Sequence, residues 1–406
     1  MHQQKTRVEH LAFRSLAELI AQPVDAQRQL GYAHTAQEID HQPETWIETA
    51  IRVDSRQSAL AEQLSRAGLT PAGAGGLVLT GSGSSLFVGE CLAVPIQRAL
   101  DVPVSAVPSG ELLTNLDGHL PPARPGLLVS FARSGNSPES SAVIEEVLRA
   151  RSTWHHLIIT CNGAGRLAQY STRDRVHALV LDDRTCDRSL VMTSSFTNMT
   201  VAGSALAWLG RGADYRARIE RLAAAAGHIL RASDRLANVA RQEFRSAIFL
   251  GSGARFGAAR ESALKMLEMT DGRVHTSAET YLGLRHGPMC AVHDDTLVVC
   301  FLSSDDVTRA YELDLIRELN RKQLGTRLLV GHDIPHDIVR SPDVAIDCPG
   351  LSSVGDDLAA VTDVVAGQLL ALFRSLTLGL KPDAPSNDNV ISRVVEDFTI
   401  HARYVQ

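Results

Sequence analysis

Glu261, Lys265 and Glu268 lie in the run ESALKMLE and place two carboxylates and an ammonium at i, i+4 and i+7. In a helix these positions fall within roughly 60° of arc on one face. A solvated salt-bridge face is one reading, since Glu and Lys at i and i+4 commonly pair. Apolar Ala263, Leu264, Met266, Leu267 and Met269 occupy much of the rest of the segment, so the charged stripe is expected to face a cleft. Downstream, His286 sits in the turn Arg285-His286-Gly287-Pro288 after YLGL. An imidazole titrates near neutrality and suits proton transfer. Carboxylate, ammonium and imidazole together are the equipment of acid–base catalysis.

Two further segments suit an anion. Gly81-Ser82-Gly83-Ser84-Ser85 lies between an apolar run and an amphipathic one. Glycines such as Gly83 let the backbone approach a ligand, and the following helix N-terminus offers free N–H groups and a positive dipole. The spacing is not that of a dinucleotide fingerprint, and the lysine of a P-loop is missing. A tight turn and a phosphate cradle both remain open on this segment alone. Arg133-Ser134-Gly135-Asn136-Ser137-Pro138-Glu139-Ser140 repeats the arrangement with an arginine and several hydroxyls. Ser137 could be a plain N-cap. Two such turns at strand-to-helix junctions point instead to a phosphate site, because doubly wound sheets bind ligands at the carboxyl ends of strands.

The elements that must carry these residues follow from hydrophobic patterning. Buried runs at GLVLTG, VPVSAVP, GLLVSFA, HHLIIT and VHALVLDD alternate with helical stretches over 85–100, 137–152 and from about Ser194. Alternation of this kind predicts parallel βαβ units in a three-layer α/β/α sandwich. RSAIFLGSGARFGAARESALKM then repeats the strand–GSG–helix unit, and TLVVCFLSS and GTRLLVGH are later strands separated by a helix over about 305–323. Two tandem α/β units are expected. The boundaries are a helical N-terminal segment over 1–50, a first domain over 51–215 and a helical linker over 216–244. A second domain over 245–380 and a tail over 381–406 complete the chain. The apolar VVEDFTI in the tail should pack rather than dangle.

Composition narrows the classes. The chain has 406 residues with 40 Lys plus Arg against 46 Asp plus Glu, a net charge of −6. That balance lacks the basic footprint of a nucleic-acid binder. No apolar run is read as long enough for the roughly 20 residues of a bilayer span, and MHQQKTRVEHLAF is too polar for a signal peptide. Six scattered cysteines form no CxxC pair, and the three in LIITCN, LVVCFL and VAIDCP read as small buried thiols, not metal ligands or disulfides. The cytoplasm is the expected compartment.

With these motifs assembled, the chain resembles tandem sugar isomerase (SIS) domain proteins. It is most similar to the galactosamine-6-phosphate deaminase family, also labelled tagatose-6-phosphate ketose/aldose isomerase. The two strand–GSG–helix halves, RSGNSPES, ESALKMLE followed by RHGP, MTSSFTNM (192–199) and SRVVEDFTIH (392–401) carry the resemblance over nearly the whole chain. The isomerase half of glucosamine-6-phosphate synthase is a more distant relative. By that resemblance Ser84, Ser85, Ser134 and Ser137, with Gly83 and Arg133 in the same turns, hold the sugar phosphate. Ser194, with Ser195 beside it, lies near the sugar hydroxyls. Lys265 and Glu268 are implied as catalytic, Glu268 as the proton-transferring base. His286 is implied to open the sugar ring from a neighbouring subunit, which requires at least a homodimer. No metal and no organic cofactor are implied.

Two departures qualify the likeness. Ala132 stands where family members commonly carry a serine, so the phosphate turn lacks one hydroxyl. Val395-Glu396-Asp397 occupies the tail position where the synthase has a lysine, and His2 replaces the cysteine of a glutaminase. A glutamine-dependent synthase is therefore excluded. A deaminating isomerase, a plain aldose–ketose isomerase and a non-catalytic sugar-phosphate sensor remain. Lys265, Glu268 and His286 occurring together, with no helix-turn-helix legible in the first 50 residues, favour an enzyme over the sensor. The two enzymatic readings begin with the same proton transfer, and ammonia release is favoured because no ammonia source is delivered.

Overall fold

The computed structural model describes residues 14–70, 73–386, 390–395 and 399–401. Ten strands form two sheets. The first contains β1 (Gly76–Gly81), β2 (Val104–Pro108), β3 (Gly126–Ala132), β4 (Trp154–Thr160) and β5 (Val176–Val180) in the order β2-β1-β3-β4-β5. The second contains β6 (Ser246–Leu250), β7 (His275–Glu279), β8 (Thr296–Phe301), β9 (Thr326–Gly331) and β10 (Val344–Asp347). Its order, β10-β9-β8-β6-β7, is the same topology read from the other edge. Every pairing is parallel. Leu127, Leu128, Val129 and Phe131 of β3, and Leu297 to Phe301 of β8, are all buried. Such continuous apolar runs are what a parallel sheet covered on both faces demands. The expected pair of parallel α/β units is present.

The structure adds what the apolar runs did not mark. β7 reads His-Thr-Ser-Ala-Glu and lies at a sheet edge, half exposed. A polar edge strand has no apolar period to detect. The segment expected as a linker is two helices, Gly212–Arg231 and Ser233–Ala240. Their Tyr215, Ile219, Leu222, Ala226, Ile229 and Leu236 are fully buried in the main core, so the segment is structural filling between the halves. Helix Gln42–Asp54 of the N-terminal segment crosses residue 50 and packs on helix Ser194–Ser204.

The centre of the molecule is the helix Asp356–Thr377, buried along nearly its whole length. Among the described residues it alone is long and apolar enough to cross a bilayer, correcting the expectation that no run approaches that length. Its burial accounts for the apolarity. It packs on helix Ala254–Met269, where a Cβ on Gly367 would fall 2.2 Å from Ser262 Oγ. Helix Ala254–Met269 in turn lies against Ser84–Leu100 of the first half. A Cβ on Gly257 would sit 2.7 Å from the Cys91 backbone nitrogen, so the absence of a side chain there lets the two helices touch. That contact carries residues of the second half to the first sheet.

Candidate active site

β1 and β3 are neighbours in the first sheet, in register at Thr80 and Ser130. The chain leaves β1 toward β2 on one side and returns to β3 on the other, so a crevice opens between their carboxyl ends. Both Ser-rich turns lie there. Gly83 turns the chain with φ 55° and ψ −127°, a region that only glycine enters without strain. A Cβ on Gly81 would fall 2.5 Å from Ser85 Cβ. The turn places Ser82 Oγ 2.7 Å from Ser109 Oγ and starts helix Ser84–Leu100 at the crevice. Ser137 occupies the N-cap position of helix Pro138–Ala150, but its hydroxyl makes no capping bond. A cavity of about 100 Å³ results, walled by Ser82, Ser85, Ser134, Ser137 and Ser140 and bounded by Met192, Arg133 and Arg393.

The charged stripe arrives from the second half. Lys265, on Ala254–Met269, donates to Ser84 Oγ at 3.1 Å and to Glu268 Oε2. Its side chain is wholly buried, whereas that of Glu268 remains 24% exposed and open to a ligand. Glu261 Oε1 is 3.4 Å from the same ammonium, and Glu261 is fully buried. Burial opposes the Lys265 charge, but Glu261 and Glu268 outweigh it and hold its pKa above the ordinary lysine value. Burial pushes Glu261 up to about 8, with Lys265 opposing and Glu268 adding. Lys265 and the Ser84 hydroxyl are the polar neighbours of Glu261. The stripe faces inward, and Glu268 is its accessible carboxylate. Arg133, at the phosphate turn, lies near enough to Glu268 and Lys265 for their charges to act on one another.

Other expected site residues are placed differently. Ser194 and Ser195 are fully buried. Asp187 accepts from the backbone N–H of Thr193 at 2.9 Å, Ser194 at 2.8 Å and Ser195 at 3.1 Å, and from the Ser195 hydroxyl. It thereby caps the helix that both serines begin. Ser194 Oγ lies 3.0 Å from His41 Nε2 of the N-terminal segment. Burial lowers the His41 pKa. Arg133 spends Nη1 on the carbonyls of Ser189 (3.3 Å) and Leu190 (2.9 Å), and Nη2 on that of Arg393 (2.8 Å). It binds protein carbonyls. His286 is exposed, and its side chain makes no hydrogen bond among the described residues. Within one chain the structure joins Lys265 and Glu268 to the Ser turns but does not bring His286 to them. No cluster of three or more His, Cys, Asp or Glu side chains that could hold a metal occurs among the described residues.

The SIS domain family matches residues 72–209, the half that carries the Ser turns. An Escherichia coli protein named D-galactosamine-6-phosphate deaminase AgaS is 38% identical over 375 residues, covering 90% of this chain and 95% of its own length. A protein of the same name from Shewanella sp. strain ANA-3 is 34% identical, covering 92% and 93%. The chain belongs to the D-galactosamine-6-phosphate deaminase family. A crystal structure titled tagatose-6-phosphate ketose/aldose isomerase from Escherichia coli superposes with a TM-score of 0.81 at 35% identity, covering 91% of this chain and 97% of that one. The protein is thus an enzyme of the sugar-phosphate isomerase class. Three further residues shape its site. Asp187 and Glu38 are buried carboxylates that organise the loop before Ser194, Glu38 by accepting from Arg188 N at 2.5 Å and Ser189 N at 3.3 Å. Arg393 comes from the tail. None stands in a motif whose spacing announces a role, although Arg393 lies within the family-like SRVVEDFTIH. Glu396, Asp397 and Phe398 of that motif, and residues 1–13, lie outside the described residues.

Proposed function

We propose that the enzyme converts a 6-phosphorylated 2-amino-hexose, galactosamine 6-phosphate by preference, into tagatose 6-phosphate and ammonium. The observation that carries this reading is the link Ser84–Lys265–Glu268, which sets a partly exposed carboxylate beside the serine-lined cavity. The cavity suits a phosphate: hydroxyls, free backbone N–H groups and the dipole of helix Ser84–Leu100 meet there. With the phosphate anchored, the sugar chain extends toward Glu268.

In the proposed reaction His286 of a neighbouring subunit assists opening of the pyranose ring to the free aldehyde. Glu268 then removes the C2 proton, and the electron pair of that C–H bond forms the C1–C2 double bond while O1 takes the negative charge. Lys265, an ammonium beside Glu268, stabilises that oxygen. Return of the proton to C1, with the nitrogen lone pair forming the C2–N double bond and a proton from solvent reaching O1, leaves a protonated ketimine with a C1 hydroxyl. Water adds at C2 and ammonium departs, giving the ketose. No redox step is involved, and one water is consumed. The enzyme is proposed to work as a homodimer or larger homo-oligomer in the cytoplasm. Incubation with galactosamine 6-phosphate and glucosamine 6-phosphate, with ammonium and ketose 6-phosphate assayed separately, tests the reading. Equimolar ammonium and ketose from the galacto epimer are expected. Isomerised sugar without ammonium would make the enzyme a plain aldose–ketose isomerase, and no turnover of either would overturn the assignment.

A further inference from the structure

We infer that Arg393, on the C-terminal tail, is a phosphate-binding residue of the first-half site and supplies the free guanidinium edge that Arg133, within the turns, does not offer. The inference rests on the phosphate assignment above. Two guanidinium groups border the serine cavity, those of Arg133 and Arg393. Arg133 is 7% exposed and commits both terminal nitrogens to backbone carbonyls. One of those carbonyls is that of Arg393 itself, so Arg133 fastens the tail to the turn. Arg393 is exposed. It anchors Nε on the Asp187 carbonyl at 3.0 Å and places Nη2 on the same oxygen and 3.6 Å from Cys186 Sγ. Its Nη1 has no partner among the described residues.

A sugar phosphate carries between one and two negative charges near neutrality. Serine hydroxyls and backbone N–H groups hydrogen-bond that charge without neutralising it. Lys265, the other cation nearby, is held between Glu261 and Glu268. A guanidinium gripped on one edge and free on the other is suited to a charge-assisted bond to a phosphate oxygen. This also gives a role to the tail, which lacks the lysine found in the synthase, and offsets the hydroxyl lost at Ala132.

The test compares Arg393→Gln, Arg393→Lys and Ser134→Ala in the full-length enzyme, using sugar-phosphate kinetics and inorganic phosphate as the binding probe. Arg393→Gln should raise KM and the phosphate Kd together by about tenfold to a hundredfold, with kcat changed much less, as expected for losing a hydrogen bond to a charged group. Arg393→Lys should recover part of the loss, and the salt dependence of phosphate binding should weaken in the glutamine variant. If Ser134→Ala weakens phosphate binding while Arg393→Gln changes Kd by less than twofold, the phosphate site stands and Arg393 only tethers the tail. If neither variant changes phosphate binding, the phosphate assignment itself fails. A glutamine variant that loses thermal stability yet binds phosphate like the wild type also overturns the inference.

Discussion

At the end of β1, Gly83 turns the chain with φ 55° and ψ −127°; at the end of β6, Gly253 repeats the turn with φ 57° and ψ −128°. Each opens a helix, and each faces the neighbouring strand across the point where the sheet order reverses. The first turn leaves a cavity among serine hydroxyls. At the second the serine is engaged from within, beside a wider cleft. Glu312, from helix Asp306–Lys322, accepts from Ser252 Oγ and from Ser303 N, both at 2.7 Å. Arg255, wholly buried, is paired with both oxygens of Asp363 at 2.7 Å. Burial pushes Glu312 up to about 7 and Asp363 up to about 6, with Arg255 opposing in both. A carboxylate of the protein thus takes the donors that the first turn offers to a ligand.

The helices after the two glycines diverge in the same sense. Lys265 and Glu268 stand twelve and fifteen residues beyond Gly253; Pro95 and Arg98 stand at the same distances beyond Gly83. The two helices lie side by side, so each half's helix serves the other half's turn. Lys265 therefore meets Ser84, while Pro95 and Arg98 border a cleft of about 550 Å³ at Ser252 and Gly253. At one turn, a lysine–glutamate pair from the other half stands beside the serine-lined cavity. At the other, the same backbone borders the larger cleft, with Ser252 bound to Glu312 and with Pro95 and Arg98 where the lysine and glutamate would stand. The turn backbone is common to both halves, and the side chains that reach it from elsewhere are what differ.

The largest contrast should be catalytic. Glu268→Gln keeps size and shape but cannot accept the C2 proton, so kcat should fall by about 10² or more with KM little changed. Exchange of the C2 hydrogen with deuterated solvent should vanish in parallel. The mirrored change Arg98→Gln should leave kcat within about twofold. If both variants lose activity equally, the two helix faces are not specialised as described.

Subunit complementation comes next. Glu268→Gln and His286→Ala enzymes, each inactive, should regain activity when their subunits are mixed, because hybrid oligomers contain sites with both residues intact. Subunit exchange seen by mass spectrometry without any recovery would place His286 in its own chain's site.

The turns themselves should separate more mildly. Ser85→Ala or Ser134→Ala should raise KM about tenfold or more, the effect of losing a hydrogen bond worth about 1.5–3 kcal/mol to a charged group. Ser252→Ala should leave KM unchanged and lower stability by about 1–2 kcal/mol, since the donor to Glu312 is lost. Thermal melts and steady-state kinetics on the same preparations distinguish these outcomes.

The smallest effect concerns Glu261. Its carboxyl is raised from 4.5 to about 8 by burial, so between those values the folded chain holds a proton that the unfolded chain has released. Stability must then fall as pH rises through that window. Glu261→Gln removes the titration, and its unfolding free energy relative to wild type should rise from pH 5 to pH 8. A constant difference across that range would mean that Glu261 is ionised throughout.

Much of this was legible in the order of residues. Apolar runs ending in Gly-Ser turns announced the strands of both halves, because a strand buried on both faces must be apolar throughout. The i, i+4, i+7 spacing of Glu261, Lys265 and Glu268 announced one helical face. Three things were silent. β7 is a polar edge strand, and Asp356–Thr377 is apolar all round, so neither has a one-sided period. Asp187, Glu38 and Arg393 act through backbone groups in other segments, which sequence spacing cannot register. Nor does the chain's order say which GSG turn is met by a lysine and which by a carboxylate, since Gly81-Ser82-Gly83 and Gly251-Ser252-Gly253 are identical in sequence. That was decided where Glu312 folded onto one turn and Lys265 crossed to the other, because a buried donor must be matched by whichever acceptor the packing brings to it.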